Sequence, residues 1–228
     1  MIASISAMRA AIFQADRFLR GAGPFAPGAS AARPAWWLPL MVVAFGPIYG
    51  ACMGSFQLDS SDRLFLMLYG ALKVPFLLFA TTLVCLPGFF VLNTLLGLRD
   101  DFRDVLQAIV AGQAGLSIVL ASLAPLTRFW YFSSSAYRAA LLFNVAMFTV
   151  ATLAGQFVML RYYRELMRRH RHHRLMLGAW VILYAFVGIQ MAWMLRPFVG
   201  SPDMPVSFFR QEPFSNAYVV VARLFFGG

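Results

Sequence analysis

Charged residues are scarce in this sequence. Of its 228 residues, 12% are charged and 61% are hydrophobic, whereas a soluble domain is about 25% charged and 45–50% apolar. A water-soluble fold could not cover so much apolar surface with so few charges, so the composition excludes an ordinary globular domain. Apolar runs of about 20 residues, long enough to cross the hydrocarbon core of a bilayer, predict membrane-spanning helices instead.

Cysteine is also nearly absent, and so are the sequence signatures of common enzymes. Cys52 and Cys85 both fall inside predicted spans, where each is expected to behave as a small buried hydrophobe rather than as half of a disulfide. The sequence contains no G-x-S-x-G, H-E-x-x-H, P-loop or dinucleotide-binding pattern. We therefore expect neither an enzyme nor a protein that binds a cofactor.

Five hydrophobic runs predict an all-α fold, a polytopic transmembrane helical bundle of about five spans. The runs cover about residues 35–56, 74–96, 105–126, 139–160 and 175–195, and Trp36 and Trp37 begin the first as interfacial anchors. Together they make a transmembrane domain at residues 35–196. Residues 1–34 precede it, and residues 197–228 form an outer tail with a short interfacial helix expected at 216–226.

The N-terminal segment combines a basic amphipathic pattern with a Gly/Ala/Pro linker. Ile2, Ile5, Met8 and Ile12 recur at roughly helical spacing among three arginines, which favours a helix lying on the membrane face. A tail without structure is the alternative. The linker at 21–34 shows neither a helical nor a strand period.

The region 64–98 leaves two interpretations open. It is too long for one ordinary span, and Pro75 and Pro87 divide it. It is either one kinked span or an interfacial lead-in at 63–71 followed by a span at 74–96. Lys73 would then lie at the membrane edge with its ammonium in water. In the next turn, Asp101 is expected to cap the third span and Asp104 to lie in its first turn.

Amide side chains and small residues inside the spans predict how the helices meet. The sequence places no Asp or Glu in any span, so the spans lack the acidic side chains that a carboxylate proton relay requires. Interhelical hydrogen bonds, worth about 0.6 kcal/mol each, are the favoured role of the amides; a substrate or ion path is the alternative. Ala108/Gly112, Ala111/Gly115 and Ala151/Gly155 predict close helix contacts. The intramembrane amides are Asn93, Gln107, Gln113, Asn144, Gln156 and Gln190.

The stretch 161–174 is the most strongly basic segment of the sequence. It holds six Arg, three His and one Glu, and we expect helix for part of its length, with Tyr162 and Tyr163 at head-group depth. It acts either as a topology signal alone or as a platform for anionic lipid or an acidic partner. The neighbouring arginines disfavour a metal site at the histidines. The candidate lipid- or partner-binding residues are Arg161, Arg164, Arg168, Arg169, Arg171 and Arg174.

The distribution of basic residues predicts the orientation. With Lys73 set aside, 12 arginines fall on the side of the N-terminus and 6 on the other side. The positive-inside rule then places the N-terminus in the cytoplasm and the C-terminus outside. This arrangement explains the net charge of +10 more simply than nucleic-acid binding does.

Two stretches, LPGFFVLNTLLGLRDDF at 86–102 and WMLRPFVGSPDMPVSFFR at 193–210, resemble a family of bacterial multi-pass membrane proteins of uncharacterised activity. The resemblance covers about residues 39–223 and implies topology without an activity or a cofactor. The five-span, N-inside layout is also similar to that of the Yip1 family of membrane-trafficking proteins, although no motif supports this second likeness. A likeness in layout does not assign function.

These observations predict a non-catalytic multi-pass protein of the bacterial inner (cytoplasmic) membrane that acts through lipid or protein partners. The expected partners are membrane lipids, anionic ones among them, and a protein partner or a second copy of the chain. A small transporter or channel is the alternative. It would require one continuous cavity lined by Gln107, Gln113, Asn144 and Gln156.

Overall fold

The structure is a computed structural model that describes residues 2–21, 36–57, 64–200 and 206–209. These residues form six α-helices and no strands. The helices are α1 (Ile2–Arg20), α2 (Trp37–Gly54), α3 (Leu64–Leu95), α4 (Phe102–Ser133), α5 (Tyr137–Arg169) and α6 (His172–Met194). The expected interfacial helix at 216–226 and most of the linker at 21–34 lie outside the described residues.

Five of these helices, α2 to α6, are long and apolar enough to cross a membrane. The prediction of an all-α bundle with five candidate spans is thus confirmed. The 32 residues of α3 extend about 48 Å at 1.5 Å per residue, well beyond a hydrocarbon core of about 30 Å. Apolar side chains such as Leu83, Leu142 and Ile182 are about 70% exposed, as expected of surfaces that face lipid rather than water.

The structure defines two boundaries that the sequence left open or misplaced. Residues 64–95 form one continuous helix with Pro75 and Pro87 inside it, which agrees with the first of the two interpretations of this region. Prolines are tolerated in membrane helices because neighbouring groups satisfy the backbone positions that they free. The gap between the third and fourth predicted spans, which end at 126 and begin at 139, shrinks to three residues, because α4 continues to Ser133 and α5 begins at Tyr137.

The five long helices pack around the bundle in the order α2, α3, α6, α5, α4, and α4 also touches α3 across the bundle. Helix α4 is the most enclosed, with 61% of its most apolar 18-residue window buried, whereas the value for α6 is 11%. The spans therefore differ widely in how much of their surface the protein itself covers.

Glycines allow two pairs of helices to approach closely. In α4 and α5, a Cβ at Gly155 would lie 2.6 Å from the carbonyl oxygen of Gly112, so the predicted small-residue contact is confirmed. The closer contact, between α2 and α3, was not predicted. There a Cβ at Gly50 would lie 2.1 Å from the carbonyl oxygen of Gly70. Its signal was present in the sequence, because Gly46, Gly50 and Gly54 are spaced four residues apart.

Helix α1 is anchored to the bundle through its C-terminal half. Ala15 and Phe18 are buried in the main apolar core together with side chains of α2 and α4, and the guanidinium of Arg161 donates to the carbonyl oxygen of Leu19. Ile12 remains 57% exposed. Residues 2–20 are thus helical rather than an unstructured tail, and the bundle covers part of their apolar side chains.

Candidate functional site

An ionic cluster joins two turns at one end of the bundle. Asp101, in the turn between α3 and α4, accepts hydrogen bonds from Arg169 at 3.1 Å and from Nε2 of His173 at 3.0 Å. Arg169 also reaches Asp104 at 3.1 Å. Because a carboxylate can only accept, the His173 nitrogen that faces it carries the proton. The cluster fixes the break between α5 and α6 against the start of α4.

The expected helix-capping role of Asp101 was wrong. Its backbone has helical torsion angles, and its side chain makes no capping hydrogen bond, because the carboxylate is turned toward His173 and Arg169 instead. Asp104 does lie in the first turn of α4, as predicted. Burial raises the pKa of the Asp101 carboxyl, but the hydrogen bonds from His173 and Arg169 outweigh it and leave the pKa below its ordinary value.

The six arginines of the stretch 161–174 separate into two groups. Arg161 and Arg169 are engaged by the fold, the first with the Leu19 carbonyl and the second with the two aspartates. The side chain of Arg168 is 82% exposed and lies 3.7 Å from Glu165. The exposed members of the stretch are Arg164, Arg168, Arg169, Arg171 and Arg174. Arg169 is paired with two aspartates and Arg168 with Glu165, so the positive charge that no acidic side chain balances lies on Arg164, Arg171 and Arg174.

Tyrosine and histidine side chains of this stretch are partly internal. Tyr163 is fully buried, so its side chain contacts protein rather than lipid head groups, and its ring meets that of His173 edge to face at a centroid distance of 5.9 Å. His173 is buried as well, while His170 and His172 are exposed. Among the residues that the structure describes, no three His, Cys, Asp or Glu side chains come together to hold a metal ion.

A polar network joins three helices toward the opposite end. Asn144 on α5 accepts from the hydroxyl of Tyr49 on α2 at 2.9 Å and donates to that of Tyr131 on α4 at 2.6 Å. Thr127 reaches the same Tyr49 hydroxyl at 3.3 Å. Every polar atom of the Asn144 amide thereby has a hydrogen-bond partner. The network therefore joins α2, α4 and α5 by interhelical hydrogen bonds. Tyr131 lies beyond 126, the predicted end of the third span, and contributes to the network because α4 continues to Ser133.

The other amides are distributed among different surroundings. Gln107 is exposed on α4, and Asn93 is buried on α3, donating to the carbonyl of Phe89 one turn earlier. Gln190 is half-buried on α6. Gln113 on α4 and Gln156 on α5 line one small cavity of about 20 Å³. The four amides of the transport alternative therefore do not share a cavity, since Asn144 belongs to the tyrosine network and Gln107 lies on the outer surface.

Lys73 is fully buried rather than at the water edge, which corrects the expectation for this residue. Its ammonium donates to the carbonyl oxygen of Pro197 at 2.8 Å and lies 4.7 Å from the ring centroid of Phe208 and 5.9 Å from that of Phe198. The segment that follows α6 thus covers the charge with a carbonyl and two aromatic faces. The sequence did not reveal this contact, because its partners lie more than 120 residues later.

An open groove of about 400 Å³ lies between α2, the start of α3 and α4. Cys52, Ala121 and Ala124 give it an apolar wall, and Arg128 lies at its polar end. Arg128 donates to the carbonyl and hydroxyl oxygens of Ser55, both at 2.8 Å. Its guanidinium is thereby committed to joining the ends of α2 and α4.

Comparison of the chain with protein-family models, with curated proteins and with solved structures finds no match.

Proposed function

We propose that this chain is a non-catalytic multi-pass protein of the bacterial inner membrane, which binds anionic lipid head groups at the basic end of its bundle. The observation that carries the proposal is the cluster of exposed arginines at the junction of α5 and α6. Arg164, Arg168, Arg171 and Arg174 fall within 11 consecutive residues and point charge away from the core.

The fold supports this role because the arginines lie at a helix junction that is held in place by hydrogen bonds. Arg169 and His173 bind Asp101, so the junction between the two helices is tied to the turn before α4. Ordered charges lose less conformational freedom when they bind than charges on a flexible tail do. The four exposed arginines, Arg164, Arg168, Arg171 and Arg174, would therefore contact a head-group layer together.

The proposed orientation has the N-terminus and this basic end in the cytoplasm. Arg161 contacts Leu19 at the end of α1, and Asp101 contacts Arg169, so the three arginine-rich segments lie at one end of the bundle. At the other end, Gln57 after α2 donates to the carbonyl of Ser135 before α5. The excess of arginine at the first end supports a cytoplasmic location through the positive-inside rule. The resemblance to bacterial membrane proteins supports the inner membrane.

The test is to replace Arg168, Arg171 and Arg174 together with Gln and to measure lipid association. Each arginine near an anionic surface contributes about 1 kcal/mol, so the triple variant should bind anionic lipid up to about 100-fold more weakly at low salt. The difference should shrink as salt increases, because exposed charges are screened. Binding can be measured by native mass spectrometry with phosphatidylglycerol titrated into detergent-solubilised protein.

The matched control replaces the same three arginines with Lys, which keeps the charge and should keep most of the affinity. A second control, Glu165→Gln, removes the one acidic side chain of the stretch and should strengthen binding. If the Gln variant retained its lipid at low salt while remaining folded, the stretch would be a topology signal or the binding surface of a protein partner.

A small transporter or channel remains the alternative. The amides that would have to form a continuous path lie in separate places, with Gln113 and Gln156 at the 20 Å³ cavity and Asn144 in the tyrosine network. Uptake of a solute by proteoliposomes, lost on substitution of Gln113, would favour this alternative.

A further inference from the structure

A small cavity lies between three helices of the bundle. Its volume of about 20 Å³ is close to that needed for a single water molecule. Helices α4, α5 and α6 line it, and four of the lining residues carry polar side chains. These four are Gln113, Thr152, Gln156 and Tyr184. None of the lining residues is acidic or basic.

The orientation of the Gln113 amide is determined by its neighbours on α3. Its nitrogen donates to the hydroxyl of Thr82 and, at 3.4 Å, to the carbonyl oxygen of Leu78. The Thr82 hydroxyl itself donates to the Leu78 oxygen at 2.9 Å. Since the Leu78 oxygen can only accept, the amide nitrogen must be the atom that faces α3. The amide oxygen of Gln113 is therefore left for the cavity side.

That oxygen has no hydrogen-bond partner in the described part of the chain, although Gln113 is only 5% exposed. The same holds for the amide oxygen of Gln156, which is buried on the facing helix without a partner among the described residues. Two buried acceptors at one cavity, both without donors, are uncommon, because buried polar atoms are nearly always satisfied by protein or by ordered water.

We infer that this cavity binds one water molecule, which donates its two protons to the amide oxygens of Gln113 and Gln156. Water supplies two donors for two acceptors, and the cavity is large enough for one such molecule. The hydroxyl of Thr152 lines the same space and offers a third hydrogen bond, whereas the hydroxyl of Tyr184 is hydrogen-bonded to Thr82 and Gln113. A sodium ion would also suit oxygen ligands, but its charge would have no acidic side chain in the cavity lining to balance it.

This water would connect α4 and α5 through their polar groups close to α6. The contact between α5 and α6 is much less extensive than that between α4 and α5, so the hydrogen bond of Tyr184 on α6 with Gln113 would attach α6 to the same polar group. The two glutamines would then act as a pair, and removing one would leave the water and the other glutamine incompletely bonded.

The experiment uses the ¹⁵N-labelled full chain in lipid nanodiscs, with Overhauser transfer from the water resonance to side-chain amide protons. We expect cross peaks from water to the amides of Gln113 and Gln156. Asn144 is the internal control, because its buried amide is fully bonded to protein groups and should show none. Absence of the Gln113 and Gln156 cross peaks in the native chain would overturn the proposal, whether or not any variant folds.

Two substitutions and an exchange of the salt cation distinguish a shared water molecule from the other possible ligands. Gln156→Leu should abolish the water cross peak at Gln113, whereas Gln107→Leu, which changes an exposed glutamine, should leave it intact. A Gln113 cross peak that survives Gln156→Leu would contradict a shared water. If replacing choline with sodium at equal ionic strength removed the water cross peaks and shifted both amides, the ligand would be a cation and the water assignment would be wrong.

Discussion

The contact between Gly50 and Gly70 allows a sharp test of how α2 and α3 are held together. We consider the substitution Gly70→Ala, which adds one methyl group at the point of closest approach. That carbon would lie 2.1 Å from the Gly50 carbonyl oxygen and 2.9 Å from its carbonyl carbon. Both are backbone atoms, so no side chain can rotate away to make room. The helices must move apart by about 1 Å or more to reach ordinary contact distances.

The expected cost follows from this geometry. Adding a methyl group to a well-packed contact costs about 1–3 kcal/mol, and more where the backbone must shift. The neighbouring contact of Gly54 with the carbonyl of Leu66 is equally close, with a Cβ distance of 2.2 Å, so separating the helices at Gly70 would loosen it too. We therefore expect the free energy of unfolding to fall by about 3 kcal/mol.

The control is Gly88→Ala on the same helix. A Cβ at Gly88 would have no described atom within 4 Å, so only the backbone effect remains, and replacing a mid-helix glycine should leave stability unchanged or raise it by up to about 1 kcal/mol. The free energy of unfolding can be measured by titrating SDS into mixed micelles, with helicity followed by circular dichroism. Equal effects of the two substitutions would refute the proposed close packing of α2 on α3.

Three further outcomes follow from the polar contacts. The folded-state pKa of Asp101 lies below its ordinary value of 3.8, so its contribution to stability should be complete above that value and should disappear as the pH falls through the lower folded pKa. Asp101→Asn should remove this acid dependence in thermal melts between pH 2 and pH 6. Tyr49→Phe should leave the Asn144 amide oxygen without its donor and lower the free energy of unfolding by about 1–3 kcal/mol, whereas an unchanged value would contradict the network. Lys73→Met should keep the bundle folded but speed proteolytic cleavage of the segment after α6, and cleavage at the native rate would show that the buried ammonium does not hold it.

The spans could be predicted from the sequence because hydrophobic length is a local property. A run of apolar residues between turn residues requires no knowledge of its neighbours, and the first and fifth predicted spans differ from α2 and α6 by only one to three residues at each end. Close contacts of small residues were partly predictable for the same reason. The four-residue spacing of Gly46, Gly50 and Gly54 also indicates a close helix contact. It could have been used to predict that α2 packs closely on another helix.

The errors fall where a side chain finds a distant partner. Lys73 was assigned to water on account of its charge, but Pro197 and Phe208 provide a buried environment that only the folded chain creates. Asp101 had the sequence position of a helix cap, yet His173 competes successfully for its carboxylate. The pairing of Gln113 with Gln156 likewise depends on the rotation of α4 and α5 about their axes, which spacing along the sequence does not determine.

The unequal enclosure of the spans has a consequence for purification. Protein atoms hold α4 on most sides, whereas α6 has only 11% of its most apolar window buried, so the bilayer itself is the main neighbour of the last span. Detergent replaces that neighbour with a softer and more mobile one. Local opening should therefore begin at α6 and spread to α4 last. Preparations stripped of lipid would lose the order of the C-terminal helix before any loss of overall helicity became visible.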